Sequence, residues 1–295
     1  MKAATTMTIL FNLSQNRNRT MNNDIINSLN VERSVASKSH IMVIGVGGAG
    51  GNAVNHMYEL GIKDVDFMVC NTDQQALDIS PVELKIRLGE DGLGAGNDPA
   101  VGRRAAITSL DMVKQMFENY STKMVFITAG MGGGTGTGAS PVIAKAAREM
   151  GILTVGIVTS PLKIEGHIRY KQAMAGIEEM KSCVDSLLII NNDNIMAMGD
   201  STTTVDQAFS MADDVLALAA KGIAEIITIK SPRTNIDFAD VSKVMTNSGR
   251  THMGVGRAAG EDRAETAARN SLRSPLLDHN SIRGAKNILL NISCD

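Results

Sequence analysis

Gly130 to Ser140, "GMGGGTGTGAS", holds six glycines and two threonines in eleven residues, directly between an apolar run, "MVFIT", and a helical pattern, "PVIAKAAREM". Glycines let a backbone approach a ligand closely and turn its N–H groups inward, and the N-terminus of a following helix adds about half a positive charge. The stretch therefore has the chemistry of a phosphate cradle. Thr135 and Thr137 add hydroxyl donors, and Ala139 onward supplies the helix. A flexible linker fits poorly, because the flanks are a buried strand and a helix. Upstream, "GVGGAGGN" satisfies G-x-G-x-x-G at Gly45, Gly47 and Gly50, and Asp73 in "CNTD" stands where a dinucleotide-binding fold would want an acid. A third loop, "GLGAGNDP", lies between them. An NAD-dependent oxidoreductase has no use for three glycine loops around one pocket, and the chain has no G-x-x-x-x-G-K-[ST]. Three loops around one triphosphate is the economical reading.

A second constellation is acidic. Asp237 and Asp240, three apart at the start of a helical pattern, share a face and can polarise a water for in-line attack on a γ-phosphate, with Asn235 beside them. The same residues make an ordinary helix start, with Asn235 or Asp237 as N-cap. Residue types alone favour the cap. His56, His167 and His252 lack ligand spacing, and no metal site is expected.

The elements that must position these residues begin at Ile41. "IMVIGV", "DFMVC", "KMVFIT", "LTVGIV" and "SLLII" are each followed by a loop and helical periodicity, which implies a parallel sheet covered on both faces. The expected fold class is α/β, with a Rossmann-like parallel-sheet domain over 39–200, and the glycine loops fall beyond the carboxyl ends of its strands, where such sheets bind ligands. Val205, Phe209, Ala212, Leu216, Ala219, Ile223 and Ile226 recur at helical spacing and predict a long central helix over 201–230. Pro232 in "KSPRTN" stops it. Residues 231–295 predict an incomplete α+β second domain. One strong strand at Asn287 to Ile292 and a weaker one near Met253 to Arg257 would leave an exposed edge and an uncovered apolar face.

Composition bounds the partners. A net charge of -2 argues against an extended nucleic-acid footprint, and the apolar runs are too short to span a bilayer, so neither nucleic acid nor direct membrane binding is expected. Cys70, Cys183 and Cys294 are odd in number and far apart, which fits a reducing, cytoplasmic setting. Residues 1–38 read as a disordered polar extension, too poor in Arg and Ser for a good transit peptide, with Met21 as an alternative start.

With these motifs in hand, the chain resembles the tubulin and FtsZ superfamily. "GGGTGTG" at Gly132 to Gly138 is that superfamily's signature, and "GVGGAGGNAVNHM", "NTDQQAL", "GLGAGNDPAVGRRAA", "EGHIRYKQA", "NND" and "NIDFADV" follow in the order and spacing of its bacterial FtsZ branch, from about Ile41 to the C-terminus. "AAKGIAEIIT" and "GAKNILLNI" look like the Bacteroidetes branch. The resemblance implies a GTPase of bacterial cytokinesis that binds GTP or GDP with Mg²⁺ and assembles head-to-tail into protofilaments at the midcell division ring. It implies phosphate contacts from Gly48, Ala49, Gly50, Gly51, Asn52 and Ala53, with Asn71, Thr72 and Asp73 beside them. Gly94, Ala95 and Gly96 would sense the γ-phosphate, and Gly132, Gly133, Gly134, Thr135 and Gly136 would hold the α and β phosphates. Glu165 and Arg169 would contact ribose and phosphate, while Asn192, Phe209 and Asp213 would read the base. Chemistry agrees at Asp213, since a carboxylate accepts two parallel hydrogen bonds from guanine N1–H and N2–H₂. Phe209 lies four residues before it, on the same side of the helix, and is also on the core stripe. In the family, the loop holding Asn235, Asp237 and Asp240 reaches the nucleotide of the next subunit, which turns the cap reading into a catalytic one.

Several positions depart from the family pattern. Leu162 and Ile164 stand where aromatics are usual, Asp98 puts a negative charge in the γ-phosphate loop, and "IKSPRTN" is one residue longer than usual before Asn235 and lacks its glycine. Family members continue past "NILLNI" with more sheet, a linker and a tail that binds membrane-tethering partners. A C-terminally truncated chain is therefore expected, with division-ring proteins as partners but without the tail that would bind membrane anchors. The rival within the family is a truncated or divergent paralogue that binds GTP but neither assembles nor hydrolyses it.

Overall fold

The computed structural model of the chain describes residues 4–13, 40–197, 203–228, 238–274 and 285–294. In the first half the elements are β1 (Ala4–Leu13), β2 (Ile41–Val46), α1 (Gly47–Glu59), β3 (Asp66–Asn71), α2 (Gln74–Asp78), β4 (Leu84–Arg87), α3 (Pro99–Thr108), α4 (Leu110–Asn119), β5 (Met124–Gly130) and α5 (Gly134–Glu149). The second half adds β6 (Leu153–Ser160), α6 (His167–Cys183), β7 (Ser186–Asn191), α7 (Asn192–Met196), α8 (Val205–Thr228), α9 (Phe238–Met245), β8 (Gly249–Ala259), α10 (Arg263–Ser271) and β9 (Asn287–Cys294).

The apolar runs became the central strands. β2 and β6 are buried along their whole length, as strands covered on both faces must be. All strands join one sheet in the order β4-β3-β2-β5-β6-β7-β8-β1-β9, and the first seven in that order are mutually parallel. Successive side chains take opposite faces. Ile41, Val43, Met124 and Phe126 pack with Ala53 and Met57 of α1 and with Leu216 of α8. Met42, Ile44, Val125 and Ile127 pack instead with Val113 of α4, Ile143 of α5 and Met180 of α6. Strand order runs outward in both directions from the β2–β5 pair, so α1 and α5 leave their strands toward opposite faces. That switch point opens a crevice at the carboxyl ends of β2 and β5.

α8 is the expected long helix. Its 24 residues run about 36 Å, and Ala212, Leu216, Ala219 and Ile223 of the anticipated stripe are buried against the sheet. The side chains of Val205, Phe209 and Ile226 lie outside the described residues.

The remainder differs from expectation in two ways. β8 does not found a separate sheet but extends the main one, pairing with β7 from Ser186↔Gly249 to Leu188↔Thr251. The extension expected to be disordered contributes β1, which lies antiparallel between β8, from Ala4↔Ala259 to Leu13↔Arg250, and β9, from Thr5↔Cys294 to Asn12↔Asn287. A polar composition masked this. "TTMTILFNL" is rich in β-branched and apolar residues, and a sheet already half built supplies backbone partners on both sides. The exposed apolar edge was read correctly: Ile288, Leu290 and Ile292 of β9 alternate onto an open face. Among the described residues, no helix is long and apolar enough to cross a membrane.

Candidate functional site

Two helices begin at the crevice, and neither is capped. α1 starts at Gly47 after Val46, and α5 at Gly134 after Gly133, in both cases with no side chain accepting from the first turn. Their leading N–H groups and partial positive charges are therefore open to a ligand. Three other helices, α2, α7 and α3, are closed by contrast. Asp73 Oδ1 accepts from Gln75 N at 2.9 Å for α2, and Asn191 Oδ1 accepts from Asp193 N at 3.0 Å for α7. Asp98, the negative charge in the expected γ-phosphate loop, is the N-cap of α3, accepting from Ala100 N at 2.8 Å.

The open helices converge on a cavity of about 580 Å³. It is lined at one end by Gly48, Ala49, Asn52, Gly133, Gly134, Thr135 and Gly136, along its side by Asn71, Thr72, Asp73, Gly94 and Ala95, and at the other end by Glu165, Arg169, Asn192 and Asp213. The loops are tied together. Gly94 N donates to Thr72 O at 3.0 Å, Asp73 bridges Leu93, and Thr72 Oγ1 meets Thr135 Oγ1 at 2.7 Å.

Not every anticipated residue reaches it. Ala53 is fully buried in the apolar core, and Gly50 packs α1 on β5, where an added Cβ would lie 2.3 Å from Thr128 O. Gly51 lines a small adjoining cavity that shares Gly48, Asn52 and Asn71 with the main one, Gly96 has open space around it, and Gly132 donates its N–H to Thr137 Oγ1 at 2.8 Å. Thr137 is thus buried and committed to the loop's own fold, not offered to a ligand as its position in the motif suggested. Gly136 serves both purposes: it lines the cavity, and a Cβ there would meet Gly130 O at 2.4 Å. Phe209 falls within α8, but its side chain lies outside the described residues, as do Asn235 and Asp237 entirely.

Asn97, Gly130 and Met131 of the glycine loops line the cavity without having been named singly, and sequence reasoning missed Ala76, Thr159, Pro161, Ala212 and Leu216, which also line it. Thr159 and Pro161 end β6 beside β5, a place that the strand pattern already marked as facing ligand.

The far end of the cavity carries acceptors. Asn192 is 8% exposed, and its Oδ1 has no hydrogen-bond partner among the described residues. Burial pushes the Asp213 carboxyl up to about 6, helped by Asp214 and opposed by His56. His56 of α1 itself pairs with Asp214 of α8 at 2.7 Å. Glu165 is locked by two bonds, accepting from Leu162 N at 2.8 Å and from Arg169 Nη1 at 2.7 Å. Of the two departures beside it, Leu162 is buried and Ile164 is exposed.

Asp240 lies elsewhere. It is exposed in the first turn of α9, two residues from Phe238, which lines a cleft with Lys123, Leu153 and Asp185 at the amino ends of β5, β6 and β7. A strand of eight residues at about 3.3 Å each separates the two ends, so the cavity and Asp240 stand roughly 25 Å apart.

A parallel sheet whose switch point gathers glycine loops, two open helix N-termini and a polar acceptor end defines an α/β nucleotide-binding architecture. Family models narrow this: that of the Tubulin/FtsZ family, GTPase domain, matches residues 40–200, and that of the FtsZ family, C-terminal domain, matches 249–295. The chain belongs to the tubulin/FtsZ family. It is 48% identical over 269 residues to the cell division protein FtsZ of Caulobacter vibrioides (strain NA1000 / CB15N), covering 90% of this chain and 52% of that protein. It thus spans about half the length of the curated relatives it matches. An empty FtsZ dimer from M. jannaschii superposes with a TM-score of 0.76 at 41% identity, covering 82% of this chain and 70% of that one. CetZ1 from Haloferax volcanii, a GDP-bound monomer, superposes with a TM-score of 0.62 over 71% of this chain and 65% of its own, and at 20% identity shares the fold alone.

Proposed function

We propose that the chain binds GTP with Mg²⁺ in the cavity, assembles head-to-tail with copies of itself into protofilaments, and hydrolyses GTP at the junction between subunits, as a cytoplasmic component of the bacterial division ring. The carrying observation is one cavity with two uncapped helix N-termini at one end and two acceptors, the buried Asn192 Oδ1 and the half-buried Asp213 carboxylate, at the other. The first end suits phosphates. The second suits a base edge made of donors, which guanine N1–H and N2–H₂ provide. The backbone N–H groups of Gly48, Ala49, Gly134, Thr135 and Gly136 are assigned to the phosphates, and Arg169, held by Glu165, to the ribose side. Bound with the nucleotide, Mg²⁺ would supply charge neutralisation at the phosphate end.

Hydrolysis requires a second copy. Asp240 and the cavity of one chain are separated by the length of the sheet, so Asp240 can act only on a nucleotide held by another subunit. Stacking carboxyl end on amino end brings the two together, with Asn235 and Asp237 assigned to the same task. The cavity's mouth suits such stacking. Ile79, Leu93, Ile164 and Ile168 flank it, each at least 69% exposed. Large apolar side chains ringing a polar cavity mark a surface meant to be covered.

GTP hydrolysis measured with Mg²⁺ over a range of protein concentrations tests the reading. A threshold followed by a steep rise in turnover per subunit is expected. Turnover independent of concentration would overturn the interfacial site, and tight GTP binding without turnover would assign the chain to its binding-only rival.

A further inference from the structure

The turn that follows α9 is held by a polar clamp from the GTPase domain. Asp185, 6% exposed, accepts from Thr154 N at 3.0 Å with Oδ2, while its Oδ1 faces Asn247 N at 3.4 Å and Arg148 Nε at 3.5 Å. Its carbonyl accepts from Gly249 N at 2.9 Å and from Ser248 Oγ at 3.3 Å. Arg148, one residue from the end of α5, completes the clamp by donating to Asn247 Oδ1 at 2.5 Å and to Ser182 O at 3.2 Å. Asn247 sits at φ +53, a left-handed conformation that asparagine tolerates better than most residues and that ends α9.

We infer that Arg148 and Asn247 are positioning residues for the hydrolytic step, because their bond fixes where α9 presents Asp240. The inference rests on the interfacial reading of Asp240 given above. α9 is only eight residues long, and a cleft of about 350 Å³ lies between it and the amino ends of β5 and β6. Close packing therefore does not hold that side of the helix, and a guanidinium bonded to Asn247 Oδ1 and Ser182 O and paired with Asp185 does. Asp240 is seven residues from Asn247, two helical turns or about 10 Å along the axis. A small rotation at the clamp becomes a displacement of about 1 Å at the carboxylate, enough to cost a large factor in rate. The same clamp sits at the far end of α5, the helix whose first turn lines the nucleotide cavity.

Asn247→Gly is the informative variant. Glycine keeps the left-handed backbone and the N–H toward Asp185, and removes only the bond to Arg148. Arg148→Lys, which keeps a cation near Asp185 but loses the forked geometry, provides a second route should the first misfold. Both are expected to lower turnover at saturating GTP on the order of tenfold, while GTP affinity and the concentration threshold stay as in the parent chain. Amide hydrogen exchange within α9 should quicken, with α1 and the first turn of α5 unchanged. Unaltered turnover and unaltered α9 exchange in both variants would overturn the clamp. So would a loss traced wholly to weaker GTP binding. If the parent chain shows no turnover at any concentration, the functional reading falls, and faster α9 exchange in the variants alone decides whether Arg148 and Asn247 hold the helix.

Discussion

The two ends of the sheet are built on opposite rules. At the carboxyl ends of the strands the chain leaves donors and acceptors open: the helices after β2 and β5 start without a cap, and beyond β7 the buried amide oxygen of Asn192 has no partner among the described residues. At the amino ends of β6 and β7 the buried Asp185 carboxylate is surrounded by donors from the start of β6, the end of α5 and the turn after α9. Leaving polar groups unmade costs on the order of 1–3 kcal/mol each, so a fold accepts it where a ligand will supply the partner. The difference separates a receiving end from a presenting end. Under the proposed function, such a division is what a subunit carrying two halves of a shared site requires.

The sharpest way to break that contrast is Asp240→Ala. If the amino end merely holds the fold together, an exposed carboxylate there is dispensable. If it presents a catalytic group, phosphate release at saturating GTP should fall by on the order of a hundredfold, the lower range for losing a positioned proton-transfer group, while GTP binding by isolated subunits is unchanged. Equal losses in binding and turnover would instead place Asp240 in the fold's upkeep.

A pair of glycine substitutions sharpens the receiving end. At Gly136 a methyl group would press on the backbone oxygen of Gly130, which cannot move aside, so Gly136→Ala is expected to cost about 2–3 kcal/mol in chemical denaturation and to abolish nucleotide binding. Gly133 has open space where a Cβ would project and an extended backbone that alanine adopts freely. Gly133→Ala should leave stability within about 0.5 kcal/mol and still weaken GTP binding, because the methyl enters the cavity. Similar stability losses in both would remove the distinction between glycines that pack and glycines that receive.

Much of this was legible in the sequence, and the parts that were not have physical reasons. The alternation of apolar runs and helical stripes gave the parallel sheet, because a strand buried on both faces admits few polar residues. The cavity's glycine loops were readable for the same reason their flanks were. What a motif cannot reveal is which way each residue faces. Thr137, Gly50 and Ala53 belong to the same motifs as their neighbours, yet helical periodicity turns them into the interior. β1 was missed because its partners, β8 and β9, lie more than two hundred residues away, and pairing at that distance leaves no local trace. Arg148, Asp185 and Asn247 are likewise scattered over α5 and two connecting turns and carry no spacing to notice.

Acidity probes the acceptor end more gently. Because burial raises the Asp213 carboxyl to about 6, the free chain begins to take up a proton there just below neutrality. Guanine donors require the ionised form, so GTP affinity should be flat above about pH 7 and fall as pH drops through 6, approaching tenfold per unit. The sign for the unliganded fold is opposite. Between the ordinary 3.8 and about 6 the folded chain holds a proton that the unfolded chain has released, so stability falls as pH rises through that window. Asp213→Asn should remove both dependences, as read by titration of nucleotide binding and by denaturation at each pH. A pH profile for binding that survives the substitution would shift the base-reading role to another group.

The smallest expected effect falls on the boundary between open and closed helix starts. Asp98 sits in the same loop as the cavity residues Gly94, Ala95 and Asn97, and its charge would oppose a triphosphate if it turned inward. Its side chain instead accepts from Ala100 N, with Pro99 at the first helical position contributing no N–H of its own. Asp98→Ala should therefore cost about 1 kcal/mol of stability, the usual value of a lost N-cap, as measured by urea denaturation. GTP affinity should change by less than about twofold once the folded fraction is accounted for. A marked gain in affinity would mean that the carboxylate repels the nucleotide, and a marked loss would mean that it helps hold Mg²⁺ against the phosphates. Either outcome would move Asp98 from the closed helix starts to the receiving surface, and would show that the line between the two runs through this loop rather than beside it.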